Sequence, residues 1–129
     1  MKDGGVLKMN IAVIGASNNR DKFGNKCVRA YRKRGWGVFP VNNHEKSVEG
    51  LKAYFSVLDI PEVLDVVSVY LPPFLGMEVL PEISEKGVGK VFFNPGSESP
   101  ELVARAEELG LNFVLECSIR AIGEDPADY

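Results

Sequence analysis

Five short apolar runs constrain this chain more than any other feature, because each is followed by turn residues and stretches of helical spacing separate most of them. They are "IAVIGAS" (11–17), "WGVFPV" (36–41), "DVVSVYL" (65–71), "KVFFN" (90–94) and "LNFVLE" (111–116). Runs this short, with little polar alternation, fit strands buried on both faces. Pro40 near the end of the second run implies that pairing finishes there. Pro72 and Pro73 close the third. Between the first two, "GNKCVRAYRKRG" places Cys27, Val28 and Tyr31 at helical spacing, with basic residues opposite and Gly35 as a stop. "LGMEVLPEISEKG" (75–87) carries Leu75, Val79, Leu80 and Ile83 in helical register, and Pro81 predicts a kink or a late start. Ser99 is placed to cap a further helix with Pro100 first, a stripe of Leu102, Val103, Ala106 and Leu109, and Gly110 as terminator. The tail from Ser118, with "GEDPAD", shows no clear period.

Strands alternating with helices imply a parallel sheet covered on both faces, and right-handed crossovers restrict its topology. The expectation is an α/β, doubly wound, Rossmann-like domain with a five-stranded, mostly parallel sheet. A chain of 129 residues suits one such domain over 1–129, with its core at about 10–117 and short tails. Apolar residues are 45% and charged residues 26%, with a net charge of −3. That balance lacks the broad basic surface a nucleic-acid binder needs, so no nucleic-acid partner is expected. No apolar run approaches the ~20 residues of a membrane span, and "MKDGGVLKMN" lacks the apolar core of a signal peptide. No membrane association is expected. Cys27 and Cys117 form no C-x-x-C and read as two reduced thiols. A cytoplasmic protein is the expectation.

In a doubly wound sheet, ligands bind beyond the carboxyl ends of the strands. The loops after Ile14, Val41, Leu71 and Phe93 are therefore the ones to read. In the first, Gly15 permits a tight turn, Ser17 brings a hydroxyl, and a helix amino end follows, a combination suited to a phosphate. Arg20, Lys22 and Lys26 add charge around it, although solvated cations and a plain strand-to-helix turn would look the same. The loop lacks the G-x-G-x-x-G of a dinucleotide site. In the second loop, Asn42 and Asn43 stand where an NAD site usually has a ribose-binding acid, and Glu45 lies too far along to replace it. Amides there, with His44 and Lys46 nearby, suit a nucleotide with an extra phosphate on its ribose. NADP and coenzyme A both qualify. His44, the sole histidine, reads as a surface residue rather than a base, with no acid in sequence to orient it. "LPPF" is an apolar wall or a strand terminator, and "NPGSESPE" brings Asn94, Gly96 and Ser97 ahead of a helix for contact with a polar, uncharged arm.

Taken together, "IAVIGAS", "VFPVNN", "DVVSVYLPP", "VFFNPGSES" and "ARAEELGLNFVLEC", in this order, resemble the small stand-alone CoA-binding proteins. Those in turn resemble the CoA-binding domain of the succinyl-CoA synthetase alpha subunit. The likeness runs from about Asn10 to Cys117. It implies that Gly15, Ala16 and Ser17 hold the diphosphate and that Pro40, Val41 and Asn42 border ribose and adenine. Lys46 or Arg20 would meet the 3′-phosphate, and Leu71, Pro72 and Pro73 would wall the adenine. Asn94, Pro95 and Gly96 would follow the pantetheine arm, although the family often writes W-L-Q-x-G where this chain has "FFNPG". The ligase's phosphohistidine and nucleotide-grasping domain have no counterpart, so complete ligase activity is not implied. Cys117, in "LECS", is expected at the ligand edge of the sheet. A mixed disulfide with a CoA thiol is open to it there, as is plain packing in the core. Cys27 falls on a buried stripe.

The reading that results is a module that binds coenzyme A or an acyl-CoA without turnover of its own. The alternative is an NADP-binding oxidoreductase domain or fragment. No Ser-His-Asp set, metal-ligand cluster or paired carboxylates appear in the motifs, and an isolated nucleotide-binding domain offers little to position a second substrate.

Overall fold

The computed structural model describes residues 8–129. Its main sheet has five strands, all parallel: β1 (Asn10–Ile14), β2 (Gly37–Val41), β5 (Val66–Val69), β6 (Lys90–Phe93) and β7 (Phe113–Val114). Their order across the sheet is β2-β1-β5-β6-β7. The chain therefore moves outwards in opposite directions from β1, and the loops after β1 and β5 part at their carboxyl ends. A two-stranded antiparallel hairpin, β3 (Ser47–Val48) with β4 (Leu51–Lys52), follows β2.

Residue alternation explains the near-continuous apolar runs. Ala12 and Ile14 of β1 join Val67, Val69, Val91 and Phe93 on one face, under α2 (Pro73–Lys86) and α3 (Pro100–Glu108). Leu80, Ile83, Leu102 and Ala106 reach down from those helices. Ile11 and Val13 point the other way, with Val66 and Phe92, against Cys27, Val28 and Tyr31 of α1 (Phe23–Lys33) and Ile119 of α4 (Ser118–Ala121). Each valine, leucine, isoleucine or phenylalanine among them contributes about 1.5–3 kcal/mol when fully buried. Both faces of β1 are thus core.

Several elements depart from the sequence reading. α2 starts at Pro73, earlier than expected, and runs through Pro81. Proline at its first position sacrifices no hydrogen bond and presets φ. β7 spans only two residues of the six expected, as the edge strand beside β6. Pro40 lies within β2, on the opposite edge, where its missing N–H costs the sheet nothing. The tail is structured too, forming α4 and a 3-10 turn at Pro126–Asp128, both held by tertiary contacts. Ser99 does cap α3, its Oγ accepting from the Leu102 N–H at 3.1 Å.

Candidate functional site

The site begins where β1 ends. Gly15 has φ +89°, and its N–H donates to the Val41 carbonyl oxygen at 3.1 Å while Ile14's carbonyl accepts from Tyr70 N–H at 2.9 Å. A Cβ on Gly15 would lie 2.5 Å from the Tyr70 carbonyl oxygen. Gly24, in the first turn of α1, is equally confined: a Cβ there would lie 2.5 Å from the Gly15 carbonyl oxygen. Helix and loop are thus in backbone contact, the close packing of helix start on strand end for which such turns use glycine. Lys22 precedes α1 without a side-chain cap, and its carbonyl accepts from the Asn25 and Lys26 N–H groups, so the Phe23 and Gly24 N–H groups are the ones left open to an anion.

Asparagines hold this loop in place. Asn42 Nδ2 donates to the Ala16 carbonyl at 2.8 Å, and Asn25 Nδ2 donates to the Ser17 carbonyl at 2.8 Å. Asn18 Nδ2 donates to the Ser47 carbonyl of the hairpin at 2.9 Å. Asn42 Oδ1 meanwhile accepts from the N–H groups of His44 and Glu45. Asn42 is thereby a clamp between the first and second loops. Ser17 Oγ accepts from Asn19 N–H, which leaves its own proton free to donate.

Three concavities open around this loop. A groove of about 600 Å³ runs over the sheet edge between Gly15–Ser17 with the start of α1, Tyr70–Pro72, and Pro95–Ser97. On the other side of Gly15 and Asn42 lies a cavity of about 350 Å³, walled by Val41, Phe55, Leu71, Leu75 and Val79. A third, of about 390 Å³, continues past Phe23, Tyr70 and Pro95, which it shares with the groove, to Cys117 and Pro126. A further hollow of about 640 Å³ adjoins the groove at Gly96 and runs along α3, where Glu98 and Glu107 disfavour a phosphate.

Of the residues singled out in the sequence, the groove gathers Gly15, Ala16, Ser17, Asn42, Leu71, Pro72, Pro95 and Gly96. Val41 is buried beside them, its carbonyl tied to Gly15. Pro40 lies buried within β2, its carbonyl accepting from Tyr54 N–H, and Pro73 opens α2. Arg20 is largely exposed and pairs with Glu49 at 3.3 Å. Lys46 is exposed at the foot of the hairpin, its carbonyl accepting from Ala53 N–H. Lys26 turns away from the groove into the third cavity, its Nζ donating to the Pro126 carbonyl at 3.3 Å. His44 is exposed.

Asn94 is 1% exposed and sits in a buried polar network. Its Nδ2 donates to Ser68 Oγ at 2.8 Å and to the Val69 carbonyl at 2.9 Å, while its Oδ1 accepts from Ser118 N–H at 2.9 Å. Ser118 Oγ lies 2.7 Å from Ser68 Oγ and 3.1 Å from the Tyr70 hydroxyl, and its carbonyl accepts from the Tyr31 hydroxyl at 2.6 Å. Burial pushes the Tyr70 and Tyr31 hydroxyls far above their ordinary range, and raises the Cys27 thiol beside them to about 11. All three remain protonated at neutral pH. Among the described residues, no group of three or more His, Cys, Asp or Glu is placed to hold a metal.

Sequence reasoning overlooked Gly24, Tyr70 and the Ser118 network. Gly24 was visible as the second glycine of the loop; Tyr70 and Ser118 gave no signal, because their importance depends on long-range pairing.

The family model described as a CoA binding domain matches residues 9–122. The chain belongs to that CoA-binding family. The ADP-forming acetate–CoA ligase II subunit alpha of Pyrococcus furiosus is 36% identical over 115 residues, which is 81% of this chain and 25% of that protein. The ADP-forming acetate–CoA ligase II of Archaeoglobus fulgidus is 34% identical over 88% of this chain and 18% of its own length. This member of the family thus spans a quarter or less of either ligase. Among solved structures, a conserved hypothetical protein from Pyrococcus furiosus superposes with a TM-score of 0.80 at 33% identity, covering 89% of this chain and 99% of that one. A protein from Thermus thermophilus gives a TM-score of 0.80 at 30% identity, over 87% of this chain and 86% of that one. No helix among the described residues of this CoA-binding chain is long and apolar enough to cross a membrane.

Proposed function

We propose that this chain binds coenzyme A or an acyl-CoA across the carboxyl edge of the sheet and holds it without turnover of its own. The observation that carries this reading is the double glycine contact: Gly15 and Gly24 bring loop, helix end and β5 together as closely as backbone allows. The diphosphate lies against Gly15–Ser17 and the leading turn of α1. The adenine enters the cavity of Val41, Leu71 and Leu75, and the pantetheine arm passes between Tyr70 and Pro95–Gly96. Membership of the CoA-binding family supports the choice of ligand. Two free thiols suit a reducing, cytosolic compartment.

Calorimetric titration with CoA, NADP, NAD and ATP tests the ligand. CoA is expected to bind most tightly, since Asn42 replaces a ribose-binding acid and is itself spent on the loop. Tighter binding of NADP would instead favour an oxidoreductase domain and sink the CoA reading.

The 3′-phosphate falls to Arg20, which pairs with Glu49 of the hairpin turn, or to Lys46 at the foot of the hairpin. A hydrogen bond to a charged group contributes about 1.5–3 kcal/mol, and exposure of both side chains pulls this towards the lower end. Dephospho-CoA is accordingly expected to bind about tenfold more weakly at low salt, with the gap shrinking as salt rises. Equal affinities at low salt would show that neither cation reads the phosphate.

A further inference from the structure

The β3–β4 hairpin turns on Glu49 and Gly50, which stand between the paired residues Val48 and Leu51. Both have positive φ, +51° and +76°, as a type I′ turn requires, and such turns favour Asn, Asp or Gly at the first position. Glu49 is the one non-glycine residue with positive φ among the described residues. A left-handed glutamate is strained, and strain of this kind persists only where the surroundings hold it. What holds Glu49 is the first loop and the helix behind it. Its N–H donates to Asn18 Oδ1 at 3.2 Å, and its carbonyl accepts from Arg32 Nη1 at 2.8 Å. Its carboxylate accepts from Asn25 Nδ2 at 2.9 Å and lies 3.3 Å from Arg20 Nε. Asn25 is the decisive partner. It is 0% exposed, its Oδ1 accepts from Arg29 Nε at 2.7 Å, and its Nδ2 serves both the Ser17 carbonyl and Glu49. The amide that pins the Ser17 carbonyl is therefore itself oriented by Glu49. With the Ala16 carbonyl taken up by Asn42, neither carbonyl of the loop is left to repel an anion.

We propose that Glu49 is a positioning residue for the first loop. From the hairpin turn it orients Asn25, and Asn25 holds Ser17, so that the loop meets a phosphate already in shape. The proposal rests on the CoA reading above for the identity of that phosphate, and adds to it a residue outside the groove on which affinity depends. A bare carboxylate would oppose an anion. Engaged by Asn25 and Arg20, this one acts through hydrogen bonds, sparing the ligand the cost of ordering the loop. The strain at Glu49 has the same origin, because only a longer acidic side chain than the turn prefers reaches Asn25 from that position.

The test compares the wild type with Glu49→Gly and Glu49→Gln. Glycine removes the side chain but relieves the turn, Gly-Gly being a favoured pair there, so Tm should stay within about 3 °C of wild type. Calorimetry should nevertheless show CoA binding about tenfold more weakly, the equivalent of ordering one or two loop side chains on binding. Dephospho-CoA should lose the same factor, because the loop and not Arg20 is what has changed. Glutamine keeps an acceptor for Asn25 and should restore most of the lost affinity. In the free protein, amide exchange at Ala16, Ser17, Asn18 and Asn19 should quicken in Glu49→Gly and not in Glu49→Gln. Unchanged or tighter binding by Glu49→Gly, a loss seen with CoA but not with dephospho-CoA, or a Glu49→Gln as weak as Glu49→Gly would overturn the proposal. A Tm that falls in step with affinity would reduce Glu49 to a structural residue and overturn it equally. Were the wild type to bind no CoA, the CoA reading would fall alone, since exchange in the free protein still decides whether Glu49 holds the loop.

Discussion

Gly15→Val is expected to abolish CoA binding and also to destabilise the free chain. A residue with a side chain at φ +89° incurs about 1–2 kcal/mol of left-handed strain. The Cβ then meets the Tyr70 carbonyl oxygen at 2.5 Å and Leu71 Cδ2 at 3.3 Å, and forced overpacking of this kind costs about 1–3 kcal/mol more. Relief requires the first loop to lift from the end of β5, which moves Ala16 and Ser17 and closes the groove. Gly35→Ala is the control. Gly35 has φ +85° but nothing within 4 Å of an added Cβ, so that variant takes the strain alone and keeps the groove. Calorimetry and thermal unfolding of both variants decide the matter. If Gly15→Val, still folded, bound CoA with wild-type affinity, the diphosphate would lie elsewhere.

Asn94→Leu should be the most damaging single change in the buried edge of the site. Leucine matches the volume but removes the acceptor for Ser118 N–H and the donor to Ser68 Oγ and the Val69 carbonyl. A buried group left without a partner costs about 1–3 kcal/mol, and the Ser118 N–H has no route to water at 0% exposure. We expect a loss of about 2–4 kcal/mol in urea unfolding and a fall in Tm on the order of 10 °C for a chain of this length. α4 should loosen first, because Ser118 is its opening residue and Asn94 is what ties that residue to β6. A Tm within about 2 °C of wild type would mean that the network relaxes onto water and does not hold α4.

Much of this was legible in the residues themselves. The order of strands and helices, the parallel sheet and the loops at its carboxyl edge follow from apolar runs bounded by glycine, proline and capping serine. Those signals act over a few neighbouring residues, so a linear reading recovers them. Gly15 and Gly24 show why the rest was hidden. Their spacing is visible, but the atoms that forbid a Cβ at Gly15 belong to Tyr70, and those that forbid one at Gly24 belong to Gly15 itself. Lys26 lies one helical turn from the first loop in sequence order, yet the direction of α1 turns its side chain towards Pro126, 100 residues away.

Asn94 could be read as a ligand-binding amide from its place after β6; only the arrival of Ser68 and Ser118 at the same point makes it a structural hub. The C-terminal tail has no period because its order comes from Glu124, Pro126 and Tyr129 gripping α1, not from local propensity. Sequence alone therefore determined the fold class and the gathering of the candidate loops at one edge of the sheet, since both depend on short-range patterning and chain connectivity. Which side chains line that edge, which are consumed in holding it, and that a walled cavity ends beside Cys117 were decided by tertiary structure, because each depends on contacts between residues far apart in the chain.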